Sequence, residues 1–196
     1  RDLHSFPTRR SSDLEPEDRF GAKTPPPAPG IDPARFRQVM GRFASGVTVI
    51  TAEANGEIRG MTANAFMSGS LEPPLCVVSV AKRAHMHAAI VAAGRFAVNM
   101  LASGQSDLST HFAGRPVPGL QPRFCRREDV PVLEDVCVRI VADLHASHDC
   151  GDHTLFVGRI LHLEADERPP LVVHSRRYAS LMYVGDDRDV PSVEFW

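Results

Sequence analysis

Three short runs of the 196-residue chain gather side chains able to hold or work on a ligand. In Arg59-Gly60-Met61-Thr62-Ala63-Asn64-Ala65-Phe66, small residues let the backbone come close to a planar molecule, while Thr62 and Asn64 bring donors and acceptors. A flat, hydrogen-bonding ring suits such an edge; so does a plainer structure, a solvent-facing strand with a glycine bulge. In Ser79-Val80-Ala81-Lys82-Arg83, cations lead into an alanine-rich helix opening at His85, and free N–H groups at a helix start add to their charge to make a phosphate pocket. An ordinary solvated turn is the alternative. The third run, from His145 to His153, packs His145, His148, His153, Cys150, Asp149 and Asp152 into one turn region. Zinc or iron would accept such ligands, but the spacing matches no recognised ligand set, and a turn alone explains Asp149, Gly151 and Asp152. The expectation is no metal. His85 and His87, two apart on a helix, face different sides and are poor joint ligands; Met61, Met67, Met86 and Met100 are read as core filler.

Regular elements must position these runs. Asp32-Pro33 is a helix start, and Phe36, Val39, Met40 and Phe43 form an apolar stripe ended by Gly46, so a helix is expected to lie against a sheet there. Val47 to Thr51 is β-branched, and Asn55-Gly56 supplies a tight hairpin before the chain returns through Ile58 to Ala63. Leu75 to Val80 reads as a buried strand, His85 to Ala93 as a helix ended by Gly94, Arg95 to Leu101 as a strand, and Gln105 to Phe112 as a short helix. Val136 to Ala146 and His153 to Leu163 form a long hairpin through residues 149–152, with short strands expected at Leu171 to His174 and Leu181 to Val184. Strands without a helix after each one favour a small antiparallel barrel over a doubly wound sheet, and a barrel removes exposed edges.

Before this domain, His4 to Leu14 resembles the translation of a sequencing-adapter oligonucleotide, so residues 1–14 are expected to be foreign to the protein or else a disordered basic tail. A proline-rich leader continues to residue 30; the domain is expected over 31–184, followed by a tail over 185–196.

The bulk balance narrows the function classes. A formal charge of -2 gives no footprint for nucleic acid or anionic lipid, and 43% hydrophobic with 23% charged residues is an ordinary globular mixture. Four cysteines without a paired spacing signal neither a disulfide framework nor a zinc knuckle, which favours a reducing cytoplasm, and no apolar run approaches a membrane span. The dinucleotide GxGxxG, P-loop, GxSxG and HExxH signatures are absent.

Taken together, four ordered segments resemble the flavin reductase-like family of FMN-binding split barrels, the reductase components of two-component monooxygenases. They are Phe36 to Thr51, Gly60 to Leu75, Phe96 to Leu101, and Gly151 to Ile160, within a resemblance over about residues 33 to 183. The resemblance implies a mainly β, antiparallel, Greek-key-like FMN-binding split β-barrel with inserted helices, and a homodimer with flavin, FMN or FAD, in a groove between barrels. It implies cofactor contacts at Met61, Thr62, Ala63, Asn64 and Ala65 along the ring and at Ser79, Lys82 and Arg83 near the phosphate. It places His153 where NADH or NADPH stacks on the flavin, and Tyr178 at the pocket. Many members carry Ser or Thr where this chain has Ala84, His85 and Met86, so His85 is read as a substitute phosphate donor. The activity implied is hydride transfer from NAD(P)H to flavin, supplied to an oxygenase component. A flavin-binding electron carrier or sensor without nicotinamide turnover, and a metal-binding module on 145–153, are the alternatives.

Overall fold

A computed structural model describes residues 30–182; the expected leader up to residue 29, the tail over 185–196, and Tyr183 and Val184 lie outside them. Asp32 and Pro33 start α1 (Pro33–Met40), where the Asp32 carboxylate accepts from the Arg35 amide at 2.8 Å. The chain continues through β1 (Ser45–Gly46), β2 (Thr48–Ala54) and β3 (Glu57–Ala63); Asn55 and Gly56, at φ 55° and 76°, make the tight turn between the last two. β4 (Phe66–Ser70), β5 (Leu75–Ala81), α2 (His85–Ala93) and β6 (Arg95–Met100) follow, with Gly94 ending α2 in the left-handed region. Then come α3 (Ser106–Phe112), the hairpin of β7 (Phe124–Arg127) and β8 (Val130–Leu133), the long pair β9 (Val138–Cys150) and β10 (His153–Ala165), and the short pair β11 (Val172–His174) and β12 (Arg177–Ala179).

Seven strands form one antiparallel sheet in the order β3-β2-β6-β9-β10-β5-β4. Its two edges, β3 and β4, are neighbours in the chain with only Asn64 and Ala65 between them. A link that short spans roughly 10 Å at most. The edges therefore meet, and the sheet rolls into a barrel. β3 and β4 do not pair with each other, so the chain itself, not a ladder of hydrogen bonds, closes the barrel. This is the split barrel that the resemblance implied, and it keeps two sheet edges that full closure would have removed. The Ser79 amide donates to the Ala65 carbonyl at 3.0 Å and ties the link down to β5.

Ile50, Val78, Val80, Phe96, Val98 and Phe156 fill the barrel and are fully buried, and α2 plugs it with Met86, Ala89 and Ile90. A second cluster, including Val47, Val49, Leu101 and Leu171, lies under α3 and β11. A short separate sheet runs β1-β11-β12.

Three expectations need correction. The stripe of Phe36, Val39, Met40 and Phe43 forms, but these side chains are 55–77% exposed and α1 buries no residue. A helical period reports an apolar face without naming what covers it. The second short strand is Arg177–Ala179, placed by its turn at Ser175 and Arg176, and Leu181 and Met182 are not strand. Met67, read as core filler, is 59% exposed on the edge strand β4. No helix among the described residues is long and apolar enough to cross a membrane.

Candidate functional site

The end of β3 divides its side chains by strand alternation. Met61 and Ala63 pack on the barrel core, whereas the Thr62 hydroxyl donates outward to the Ser109 carbonyl of α3 at 2.7 Å. The Met61 side chain thus belongs to the core, and only its backbone belongs to the site strand. A cavity of about 200 Å³ opens here, lined by Val47, Thr62, Ala63, Asn64, Ser109 and Tyr178 among others. The Tyr178 hydroxyl donates to Ser109 Oγ at 3.0 Å, which anchors β12 across the cavity. Gly60 sets the spacing of α3 from β3: a Cβ there would stand 2.4 Å from Cε1 of Phe112.

On β5, Val78 and Val80 enter the core while Ser79 and Ala81 take the opposite face. Their partners on β10 are Leu155 and His153, and directly opposed side chains lie about 5 Å apart at Cβ. Ser79 and His153 therefore share one face, and the Ala65–Ser79 bond brings the end of β3 to it. His153 Nδ1 lies 2.7 Å from Asp152 Oδ1. An ionised carboxylate only accepts, so Nδ1 carries the proton and Nε2 is left for a ligand. That hydrogen bond holds the Asp152 carboxyl below the usual carboxylate range, with Arg83 adding to the effect.

At the next corner the Lys82 amide donates to the Asp152 carbonyl at 3.0 Å, and its ammonium lies 3.3 Å from Asp149 Oδ1. Both ends of that ion pair are largely exposed, so it is weak and yields readily to another anion. Ala84 at the start of α2 offers no capping side chain, which leaves helix N–H groups beside Lys82 and Arg83. His85 is not brought to the Thr62 cavity. It lines a separate one with Asn55, Glu57 and Arg59 near the β2–β3 turn. His87 turns the other way, 2.9 Å from Thr154 Oγ1 and with its ring 5.0 Å from that of Phe156. On the β9–β10 hairpin, His148, Cys150 and His153 share a face, but among the described residues no three His, Cys, Asp or Glu side chains gather as a metal site.

These groups fit a flavin. Val47 and Val173 offer apolar surface for a ring beside the Ala63 backbone, and the exposed Asn64 and Ala65 lie outside both ladders, where their amides have no hydrogen-bond partner among the described residues. Lys82, Arg83 and the uncapped α2 suit a phosphate. Val47, Ser109 and Val173, which the sequence reading did not single out, also line the ring cavity. Nothing local in the sequence marks them, because tertiary packing of α3 and β11 brings them there.

Residues 40–182 match the family described as flavin reductase like domain. An NADH-dependent flavin reductase of a Rhodococcus species is 44% identical over 162 residues, covering 81% of this chain and 92% of that protein. The reductase component of 4-hydroxyphenylacetate 3-monooxygenase from Thermus thermophilus is 42% identical, covering 76% of this chain and 96% of that one. Among solved structures, the flavin reductase PheA2 in its native state superposes with a TM-score of 0.76 at 40% identity, covering 78% of this chain and all (100%) of that one. The split barrel, the cavity at its seam and these likenesses lead to one conclusion: the chain belongs to the flavin reductase-like family.

Proposed function

We propose that the protein is a flavin reductase that moves hydride from a reduced nicotinamide nucleotide to FMN or FAD. The observation that carries this reading is the meeting of Thr62 to Ala65, Ser79 and His153 on one side of the barrel seam. A bound flavin supplies the ring that accepts the hydride. Val47 and the Ala63 backbone would support that ring, and the Asn64 and Ala65 amides would hold its polar edge, with donors fixed in place before charge develops. Lys82, released from Asp149, and Arg83 would hold the phosphate with the α2 N–H groups. His153, held in one tautomer by Asp152, would orient the nicotinamide through Nε2, so that proximity and orientation carry the rate and no general base is needed.

NADH is the donor favoured by the Rhodococcus relative's name, and an oxygenase component is the acceptor of reduced flavin favoured by the Thermus relative's name. The bare α1 stripe supports a homodimer in which a second copy covers it. Free cysteines and a nicotinamide donor support the cytoplasm. We further propose that the functional domain spans residues 31–184.

Anaerobic stopped-flow mixing with FMN and FAD tests the reading. Flavin absorbance should bleach with NADH; flavin that stays oxidised with both NADH and NADPH overturns it.

A further inference from the structure

We propose that the acidic segment Asp186-Asp187-Arg188-Asp189 of this same chain docks in the arginine cleft between α1 and the β11–β12 turn and clasps the two elements together. The cleft measures about 560 Å³, and Arg35, Arg37, Arg42 and Arg176 line it, with Asp32 as the one carboxylate. One Asp32 oxygen is already engaged by the Arg35 amide as the helix cap. Arg42 also lines a neighbouring cavity of about 400 Å³ with Arg177, and no carboxylate lines that one. Among the described residues none of these five arginines makes an ion pair, whereas Arg123, Arg126, Arg127, Arg139 and Arg168 each sit on a carboxylate. Guanidinium groups gathered on one side repel one another, and a carboxylate that bridges them relieves the repulsion with charge-assisted hydrogen bonds.

Packing does little to hold the two sides of this cleft together. α1 buries no residue, and the Ser175 amide joins the turn to the end of the helix through the Gly41 carbonyl at 2.6 Å. Ser175 and Arg176 both have positive φ, 50° and 63°, a conformation that glycine adopts freely and other residues adopt with strain. The turn alone would be served better by glycine at 176, so the charge of Arg176 accounts for its place there.

Charge and reach both point to the segment after β12. Asp186, Asp187, Asp189 and Glu194 stand against Arg188 alone in residues 183–196, a balance that mirrors the four arginines and one carboxylate of the cleft. The six-residue step from Arg176 to Met182, the last described residue, spans about 21 Å at most, and the seven-residue step from Met182 to Asp189 reaches about 24 Å. Asp189 can therefore return to Arg176 whatever path the chain takes between them. The leader before α1 offers Glu15, Glu17 and Asp18, but Arg19 and Lys23 stand between these and the helix. Phe36, Val39 and Met40 do not line the cleft, so the clasp leaves the apolar stripe to a second copy.

Amide hydrogen exchange read by mass spectrometry on the full-length protein tests the clasp. It needs neither flavin nor turnover, so its outcome is separate from that of the reductase reading. At low salt, residues 186–189 should exchange about fivefold more slowly in the unaltered protein than in its Arg37→Gln/Arg176→Gly variant, the combined effect of three exposed ion pairs. In about 1 M salt the difference should vanish. Glycine at 176 suits the turn, so the variant should fold, which a melting curve checks. The reciprocal variant, Asp186→Asn/Asp187→Asn/Asp189→Asn, leaves the cleft intact and should speed exchange at residues 38–42 and 175–177. Equal exchange of 186–189 with and without the two arginines, or unchanged exchange around the cleft in the aspartate variant, overturns the proposal. Arginine-dependent protection found at residues 15–18 instead gives the cleft to the leader and also overturns it. So does protection that fades on dilution, because the segment would then come from a second copy.

Discussion

The cavity at Thr62 lies between a wall and a cover that are built on different principles. Its wall is the end of β3 with Val47 and Ser109, on a barrel whose core residues Ile50, Val78 and Phe156 have no exposed surface at all. Its cover is β12 with the neighbouring α1, where Tyr178 is 46% exposed and the helix buries nothing. Close packing fixes the wall to a fraction of an ångström, as orienting a ring requires. The cover hangs on few bonds, among them Tyr178 to Ser109 and the Ser175 amide to the Gly41 carbonyl at 2.6 Å. Segments with so little burial open at low free energy, which suits a side through which a nucleotide must come and go.

Substitutions on the two sides can break or sharpen this contrast. The largest effect is expected behind the wall at Asn99, which is fully buried, donates to the Val49 carbonyl and Thr51 Oγ1, and accepts from the Leu133 amide. Asn99→Ala strands those partners and should cost about 3 kcal/mol in a urea melt; a loss below about 1 kcal/mol would mean that the wall tolerates loosening. Gly60→Ala comes next. It drives a methyl into the Phe112 ring, should cost about 1–3 kcal/mol, and should weaken flavin binding because α3 carries Ser109 away from the cavity. Flavin fluorescence titration measures the second part, and unaltered affinity would separate α3 from the site. Least disruptive is Tyr178→Phe on the cover, which removes one part-buried hydrogen bond worth about 1 kcal/mol or less. Its melting temperature should barely move while release of flavin quickens, and a shift as large as that of Gly60→Ala would show that the cover is structural after all.

The same contrast governs what the sequence disclosed. The barrel strands carry their own signals: the β-branched apolar run from Leu75 to Val80, the Asn55-Gly56 turn, the long alternating run before Cys150. Those rules also brought Thr62, Ser79 and His153 into view, and the fold puts Ser79 and His153 on one face with the link after β3 tied to Ser79. On the cover and in the separate β7–β8 hairpin the signals fail. The β11–β12 turn uses Ser175 and Arg176, and the β7–β8 turn uses Glu128 and Asp129, in positive-φ positions where a glycine or asparagine would have announced a hairpin. Pro131, inside β8, argues locally against a strand at all. The apolar stripe of α1 is real as a pattern, yet what it packs against is a tertiary matter that helical spacing does not encode. His85 shows the same limit, since its neighbours on the β2–β3 hairpin are distant in sequence.

The two-residue link at Asn64 and Ala65 also bears on how the chain finds this structure. Bringing β3 to β4 closes almost no loop, so the barrel's split is nearly free in chain entropy. Joining β5 to β10, where Val78 meets Phe156, closes a far longer loop and costs on the order of 3 kcal/mol more. The site straddles both joints. Flavin that touches the β3 end and His153 together is thus captured only by chains that have completed the barrel's least local pairing, and its binding free energy is added to the fully assembled barrel alone.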